Sequence, residues 1–180
     1  MLLLRVQAGS RLYGYSTETS DDDYFEVHTE PFRIETREAP RRAKQTIIDG
    51  VDTVQMTLSA FVERAAGGSH QALDAMFAAE PLVDEIGALR EGFRVGYEVV
   101  PAYVRIITKF AVQEGYRKQR HALRAMFNLE DMLGTGRYRP ELSPERIAFI
   151  LEKAHLPYPK FRELLLAMSP VSLEDQLPVK

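Results

Sequence analysis

Short runs of apolar and β-branched residues separated by turn residues dominate the first third of the chain, and this pattern predicts β-strands. The Asp49-Gly50 pair between two such runs predicts a hairpin with a two-residue turn. The Gly9-Ser10 pair predicts a turn at the end of the first strand. The predicted strands are Leu2 to Gln7, Tyr24 to His28, a run ending at Ile47-Ile48, and Val51 to Gln55.

From Leu58 onward the apolar spacing changes to the period of an amphipathic helix. Gly67-Gly68 ends the first helix, and Ser69 is a candidate N-cap for the second. The predicted helices that follow are Leu82 to Arg94, one or two helices within Tyr103 to Leu133 broken near Gly115, a helix from Ser143-Pro144 to about Ala154, and Lys160 to Met168. Two stretches lack such a pattern, and we predict an exposed connection for Pro31 to Lys44 and a loosely held end for the last ten residues.

Strands followed by helices predict an α+β fold, with a small mixed β-sheet core followed by a C-terminal helical bundle. We divide the chain into residues 1–80, a core of sheet and helices, and residues 81–180, a helical region packed on that core. The cleft between the two regions is the predicted position of a functional site.

Charge and composition narrow the classes of function. The formal charge is −3, which argues against binding long nucleic acid by charge alone, and the absence of cysteine excludes thiolate metal sites and cysteine nucleophiles. No apolar run approaches the ~18 residues needed to span a bilayer, and Met1 to Val6 is too short for a signal-peptide core. We expect a soluble, cytoplasmic protein without a membrane partner.

An acidic cluster follows the Gly9-Ser10 pair. Asp21 and Asp23 are two residues apart, so in an extended segment they share one face. If Asp52 lies on a neighbouring strand, each carboxylate pair at ~5 Å and an effective dielectric near 20 repels by roughly 3 kcal/mol. Such a cluster requires a cation or bound protons, and oxygen ligands favour Mg²⁺ or Mn²⁺. The alternative is a solvated turn, because Ser and Asp favour turns by themselves.

Gly9-Ser10 after a strand, Gly14, and then Ser20-Asp21-Asp22-Asp23 leading into another strand resemble the signature of the DNA polymerase beta-like nucleotidyltransferase superfamily. Val51 to Val54 resembles its third-carboxylate strand. The segment from Leu58 to Phe77 is similar to the segment that follows in bacterial and phage members, although many of those have Gly-Asn-Pro-Asn where this chain has Gly68-Ser69-His70-Gln71.

The resemblance implies specific roles for these residues. Gly9 and Ser10 would hold the phosphates of a nucleoside triphosphate. Arg11 directly follows Ser10 and is a further candidate phosphate ligand by its position, the alternative being an ordinary arginine in an exposed turn. Asp21, Asp23 and Asp52 would bind two metal ions and form the catalytic centre.

Lys118, His121 and Arg124 resemble a Lys-x-x-His-x-x-Arg helix of the same subgroup. On a helix these three residues spread over about 120° of one side, which leaves a basic side to meet the nucleotide or a nucleic-acid acceptor. The alternative is an ordinary solvated helix face with surface ion pairs.

Together these features lead us to the hypothesis of a nucleotidyltransferase that moves a nucleoside monophosphate from a nucleoside triphosphate to an acceptor, which is RNA, a protein or a small molecule. Two alternatives stay open. One is a catalytically degenerate module that binds nucleotide, RNA or a protein, and the other is a helical interaction module in which the acidic turn is incidental.

Overall fold

The computed structural model describes most of the chain and divides it into two compact units, Met1–Phe93 and Arg94–Lys180. The boundary that we predict at residues 80 and 81 lies outside the described residues. The ranges that the structure describes are residues 1–18, 20–29, 42–78, 83–113 and 115–178.

The first unit contains a mixed β-sheet, which in the described ranges has four strands in the order β1-β2-β4-β3. β1 pairs antiparallel with β2, β2 pairs parallel with β4, and β4 pairs antiparallel with β3. The predicted α+β class and mixed sheet are confirmed. The strands are β1 (Leu2–Gln7), β2 (Asp23–His28), β3 (Ala43–Ile48) and β4 (Val51–Thr57).

The β3–β4 hairpin closes through Asp49 and Gly50, whose φ angles of 51° and 81° are both positive. Two successive positive φ values are typical of a type I′ turn, which the Asp-Gly pair favours. The turn fixes the register, so that Ile47 lies opposite Asp52. The hairpin was correctly predicted, but β3 begins at Ala43, inside the stretch that we expected to be a connection. Residues 31–41 of that predicted connection lie outside the described residues.

One face of the sheet is covered by α2 (Leu58–Ala66), which packs against β2 and β4. Phe61 of α2 is fully buried and its ring lies 5.9 Å from that of Phe25 on β2. Thr57 caps the helix, since its hydroxyl accepts a hydrogen bond from the Ala60 N–H. The other helices of this unit, among the described residues, are α1 (Gly9–Leu12), α3 (His70–Phe77) and α4 (Asp84–Gly92). The apolar side chains of β2 therefore form a core beneath α2.

The second unit is helical, as predicted. Its long helices α5 and α6 pack side by side, and the break between them falls at the predicted Gly115. Ser143 begins the next helix by accepting a hydrogen bond from the Arg146 N–H. Among the described residues, no helix is both long and apolar enough to cross a membrane. The helices are α5 (Val99–Ala111), α6 (Tyr116–Thr135), α7 (Pro144–Lys153) and α8 (Tyr158–Met168).

The end of the chain is held more firmly than its sequence suggests. Leu173 and Leu177 are buried. The Tyr158 hydroxyl donates to the carbonyl of Pro178 at 3.0 Å, and Arg162 Nε donates to the carbonyl of Leu177 at 3.0 Å. The prediction of a loosely held end is therefore wrong as far as residue 178, because two leucines four residues apart anchor this segment.

Candidate functional site

The Gly9-Ser10 pair opens a short helix, α1 (Gly9–Leu12), where the sequence predicted a simple turn. Gly9 has a φ of 64°, and a Cβ placed on it would overlap Oδ2 of Asp23 and lie 3.0 Å from its Cγ. The Ala8 N–H donates to the Asp23 carbonyl at 2.7 Å. A residue without a side chain is thus needed here, both for the backbone conformation and for the carboxylate that lies against it.

Asp23 and Asp52 are neighbours across the parallel pair of β2 and β4. The Asp52 N–H also donates to the carbonyl of Asp22 at 3.1 Å, so the two strands are joined at the point where the acidic cluster begins. Register partners in a sheet extend their side chains from the same face. The structure therefore places Asp52 on the strand next to Asp23, as the sequence hypothesis requires.

The carboxyl group of Asp23 is electrostatically unfavourable when ionised. Its pKa is raised above the ordinary value of 3.8, first by burial and then by the negative charges of Asp52, Asp21 and Asp22. Asp21 itself is exposed. The cluster therefore stabilises any positive charge placed beside it.

The two oxygens of Asp52 differ in their surroundings. Oδ2 accepts a hydrogen bond from the Gln45 side chain at 2.6 Å. Oδ1 is buried, and no group among the described residues donates a hydrogen bond to it. A buried carboxylate oxygen without a donor is costly unless a cation or a proton satisfies it. Oδ1 is therefore a candidate ligand atom.

Arg11, a candidate phosphate ligand, contacts the acidic loop instead of pointing away from it. Its Nε lies 2.7 Å from Oδ1 of Asp22 as an ion pair, without the alignment of a hydrogen bond, and Nη2 donates to the Ser20 carbonyl at 3.2 Å. The Gln7 side chain also donates to Asp22, at 3.4 Å. Asp22 is not one of the three predicted ligands, and through its ion pair with Arg11 it links α1 to the acidic cluster.

The donor set suits a hard divalent cation, since Mg²⁺ and Mn²⁺ prefer carboxylate oxygens. The side chains do not form a complete set of metal ligands as they stand. Across the described ranges, no three His, Asp or Glu side chains are gathered into a group that could hold a metal ion. Of the three predicted ligands, the sheet pairs Asp23 with Asp52, and Asp21 is an exposed residue two positions before β2 begins.

The three predicted nucleotide-binding residues of α6 differ in how far their side chains are exposed. Lys118 is exposed and its Nζ lies 5.5 Å from the centre of the Phe110 ring. His121 is half-buried against the same ring, with 5.1 Å between ring centres. Arg124 is only 1% exposed. The basic side predicted to face phosphate is therefore open at Lys118 and covered at Arg124, because most of the circumference of α6 is packed.

Three polar side chains make hydrogen bonds that the sequence pattern does not indicate, and these are the side chains of Gln45, Tyr13 and Asp74. Gln45 holds Asp52 and could have been found by counting back from the Asp49-Gly50 turn along the hairpin register. The Tyr13 hydroxyl donates to Oδ2 of Asp74 at 2.6 Å, and both residues are buried. This bond connects the segment after α1 to α3. Tyr13 and Asp74 are far apart in the chain, so no local sequence pattern predicts the bond.

No model of a known protein family matches the chain, and no curated protein is significantly similar to it.

Proposed function

We propose that this protein is a cytoplasmic, metal-dependent nucleotidyltransferase of the DNA polymerase beta-like superfamily. The observation that carries the proposal is the pairing of Asp23 with Asp52 across parallel strands, with the Asp23 carboxylate directly against the Gly9 backbone. The raised pKa of Asp23 supports the proposal. It shows that the neighbouring carboxylates repel the ionised form of Asp23, and a bound cation would relieve this repulsion.

In this proposal Asp21, Asp23 and Asp52 hold Mg²⁺ or Mn²⁺. The bound ions supply charge neutralisation for the triphosphate. Gly9 and Ser10 lie in the first turn of α1, where N–H groups lack acceptors within the helix, and these groups would donate to the phosphates.

The remaining candidates have supporting roles. Lys118 is the exposed member of the basic helix and would contact nucleotide or acceptor. His121 and Arg124 would support it from partly and fully buried positions. Arg11 would stabilise the acidic loop, and a contact from Arg11 to phosphate would require it to leave Asp22.

The reaction joins an acceptor hydroxyl oxygen to the α-phosphorus of the nucleoside triphosphate. The bond from the α-phosphorus to the bridging oxygen breaks, and pyrophosphate leaves with that electron pair. Asp52 would accept the hydroxyl proton. Most of the rate acceleration would come from positioning and charge neutralisation.

The proposal is tested with each α-labelled nucleoside triphosphate, Mg²⁺ or Mn²⁺, and a cell extract as the source of acceptor. We expect the wild-type protein to label a product and Asp23→Asn to label none. Asp49→Asn is the matched control, since it makes the same change in the hairpin turn of the same sheet, where a positive φ tolerates asparagine. Equal labelling by Asp23→Asn would contradict the assignment.

The same experiment identifies the acceptor. Nuclease treatment, protease treatment and size separation of the labelled product distinguish RNA, protein and small-molecule acceptors. A catalytically degenerate binding module predicts a different result, in which nucleotide raises the melting temperature but no pyrophosphate is released with any acceptor.

A further inference from the structure

Gln45 lies on the edge strand β3, opposite Val54 and diagonal to Asp52. Residues 52 and 54 share a face of the strand, and this diagonal arrangement lets the Gln45 amide reach across to Asp52. Its Nε2 donates to Oδ2 of Asp52 at 2.6 Å. Gln45 is itself exposed, so its side chain contributes little to the buried core.

The bond to Gln45 makes the two oxygens of Asp52 unequal. Oδ2 has its donor, whereas Oδ1 is buried and accepts no hydrogen bond within the described part of the chain. Holding one oxygen of a carboxylate restricts its rotation and so fixes where the other oxygen lies. Hydrogen bonds of this kind commonly orient metal-ligating side chains.

The chemistry of the donor matters as well. A glutamine amide donates to a carboxylate without carrying a charge. A lysine or arginine in the same place would neutralise Asp52 and reduce its attraction for a cation. An uncharged donor therefore suits a carboxylate that must keep its full charge.

We propose that Gln45 is a positioning residue that holds Asp52 through Oδ2 and leaves Oδ1 to bind a divalent cation. This inference rests on the proposed function, because it assigns the cation to the site of Asp23 and Asp52. Gln45 acts through Asp52 and does not itself touch the reacting groups.

The test measures the binding of Mn²⁺ alone to the full chain, by calorimetry and by the electron paramagnetic resonance signal of free Mn²⁺. We expect Gln45→Ala to weaken Mn²⁺ binding about tenfold, and to leave the melting temperature without metal unchanged. Gln45→Lys keeps a donor but adds a charge, so we expect it to bind Mn²⁺ no better than Gln45→Ala.

Gln55→Ala is the matched control. Gln55 lies on the adjacent strand β4 and its amide also donates to a carboxylate, Oε2 of Glu26, at 2.5 Å. Glu26 and Gln55 are register partners and point to the face opposite Asp23 and Asp52. We therefore expect Gln55→Ala to change Mn²⁺ affinity by less than about twofold, since it removes the same kind of bond outside the site.

The outcomes separate this inference from the proposed function. Loss of binding in Asp23→Asn together with wild-type affinity in Gln45→Ala would overturn the role of Gln45 alone. Restored affinity in Gln45→Lys would overturn the requirement for an uncharged donor. If the wild-type protein binds no Mn²⁺, or if Asp23→Asn binds it as well as wild type, both the role of Gln45 and the metal-dependent function are overturned.

Discussion

Asp23 on β2 and Asp52 on β4 are register partners, and the negative charge of Asp52 is the largest electrostatic influence of any residue on the carboxyl group of Asp23. Burial contributes more than this repulsion, and both effects raise the pKa of Asp23. The folded protein therefore binds a proton at Asp23 more readily than the unfolded chain does. The Asp23 carboxyl group therefore makes part of the protein's stability depend on pH.

We expect Asp23→Asn to stabilise the metal-free protein at pH 7 relative to wild type. A raised folded-state pKa means that Asp23 destabilises the folded state once it ionises, so this cost is absent below pH 3.8 and grows as the pH rises through the folded-state pKa. The advantage of Asp23→Asn should therefore shrink on acidification. Urea unfolding at several pH values between 3.5 and 7 measures it, and an advantage that is the same at every pH would contradict the prediction.

Glu26 lies on the same strand as Asp23. Glu26→Gln is a control because its effect on stability should have the opposite sign to that of Asp23→Asn. Burial alone would raise the pKa of Glu26, but hydrogen bonds from Gln55 and His28 and the charges of His28 and Arg5 outweigh burial and lower it. Its ionised form therefore stabilises the fold above pH 4.5, and this contribution is lost as the pH falls through the lowered pKa. We expect Glu26→Gln to be less stable than wild type at pH 7, with a deficit that shrinks at acidic pH.

The part of the site that depends on local sequence could be predicted. The Asp49-Gly50 turn fixes the hairpin register, which places Asp52 opposite Ile47 and Gln45 within reach of it. The pairing of Asp23 with Asp52 joins strands that are separated in the chain by β3. No turn connects them, and their parallel register arises only when the whole sheet packs under α2. The sequence could suggest this pairing only through a resemblance.

The burial of Arg124 shows a second limit of sequence analysis. Helical spacing correctly groups Lys118, His121 and Arg124 on one side of α6. Spacing does not reveal which other elements cover each turn of that side, and arginine is rarely buried. The same limit explains the wrong prediction for the end of the chain, where Leu173 and Leu177 find a buried position that their local sequence does not indicate.

Substitutions in α6 should show which of its basic residues the stability of the fold depends on. Arg124 is 1% exposed, so Arg124→Ala removes a packed side chain and its interactions, and we expect the free energy of unfolding to fall by about 2 kcal/mol or more. Lys118→Ala should change stability by less than about 0.5 kcal/mol, because Lys118 is exposed. Urea denaturation of the two variants measures the difference. Equal effects of the two substitutions would show that burial does not distinguish these positions.

The hydrogen bond between Tyr13 and Asp74 should hold the segment after α1 against α3. Both residues are buried and the distance from Oη to Oδ2 is 2.6 Å. We expect Tyr13→Phe to lower the free energy of unfolding by about 1–3 kcal/mol, because it removes a donor from a buried carboxylate while keeping the ring. A double-mutant cycle with Asp74→Asn measures the coupling between the two side chains. Strict additivity of the two substitutions would contradict a direct bond.

The contact between Gly9 and Asp23 predicts that alanine is more costly at Gly9 than at Gly50, another glycine with a positive φ. Gly9 and Gly50 both have positive φ, of 64° and 81°. A Cβ on Gly9 would overlap the Asp23 carboxylate, whereas one on Gly50 has no neighbour within 4 Å among the described atoms. Gly50→Ala therefore carries only the backbone cost of a left-handed residue, about 1 kcal/mol. We expect Gly9→Ala to cost at least about 1 kcal/mol more, because it adds a steric clash.

The excess cost should depend on the carboxylate itself. In the Asp23→Gly background the overlapping side chain is gone, so Gly9→Ala should then cost no more than Gly50→Ala does. Urea unfolding of the single and double variants at neutral pH completes this cycle. If Gly9→Ala remains more damaging than Gly50→Ala without the Asp23 side chain, the requirement for glycine lies in the backbone alone. If the excess disappears, Gly9 is needed because the carboxylate proposed to bind metal occupies the space where a side chain would be.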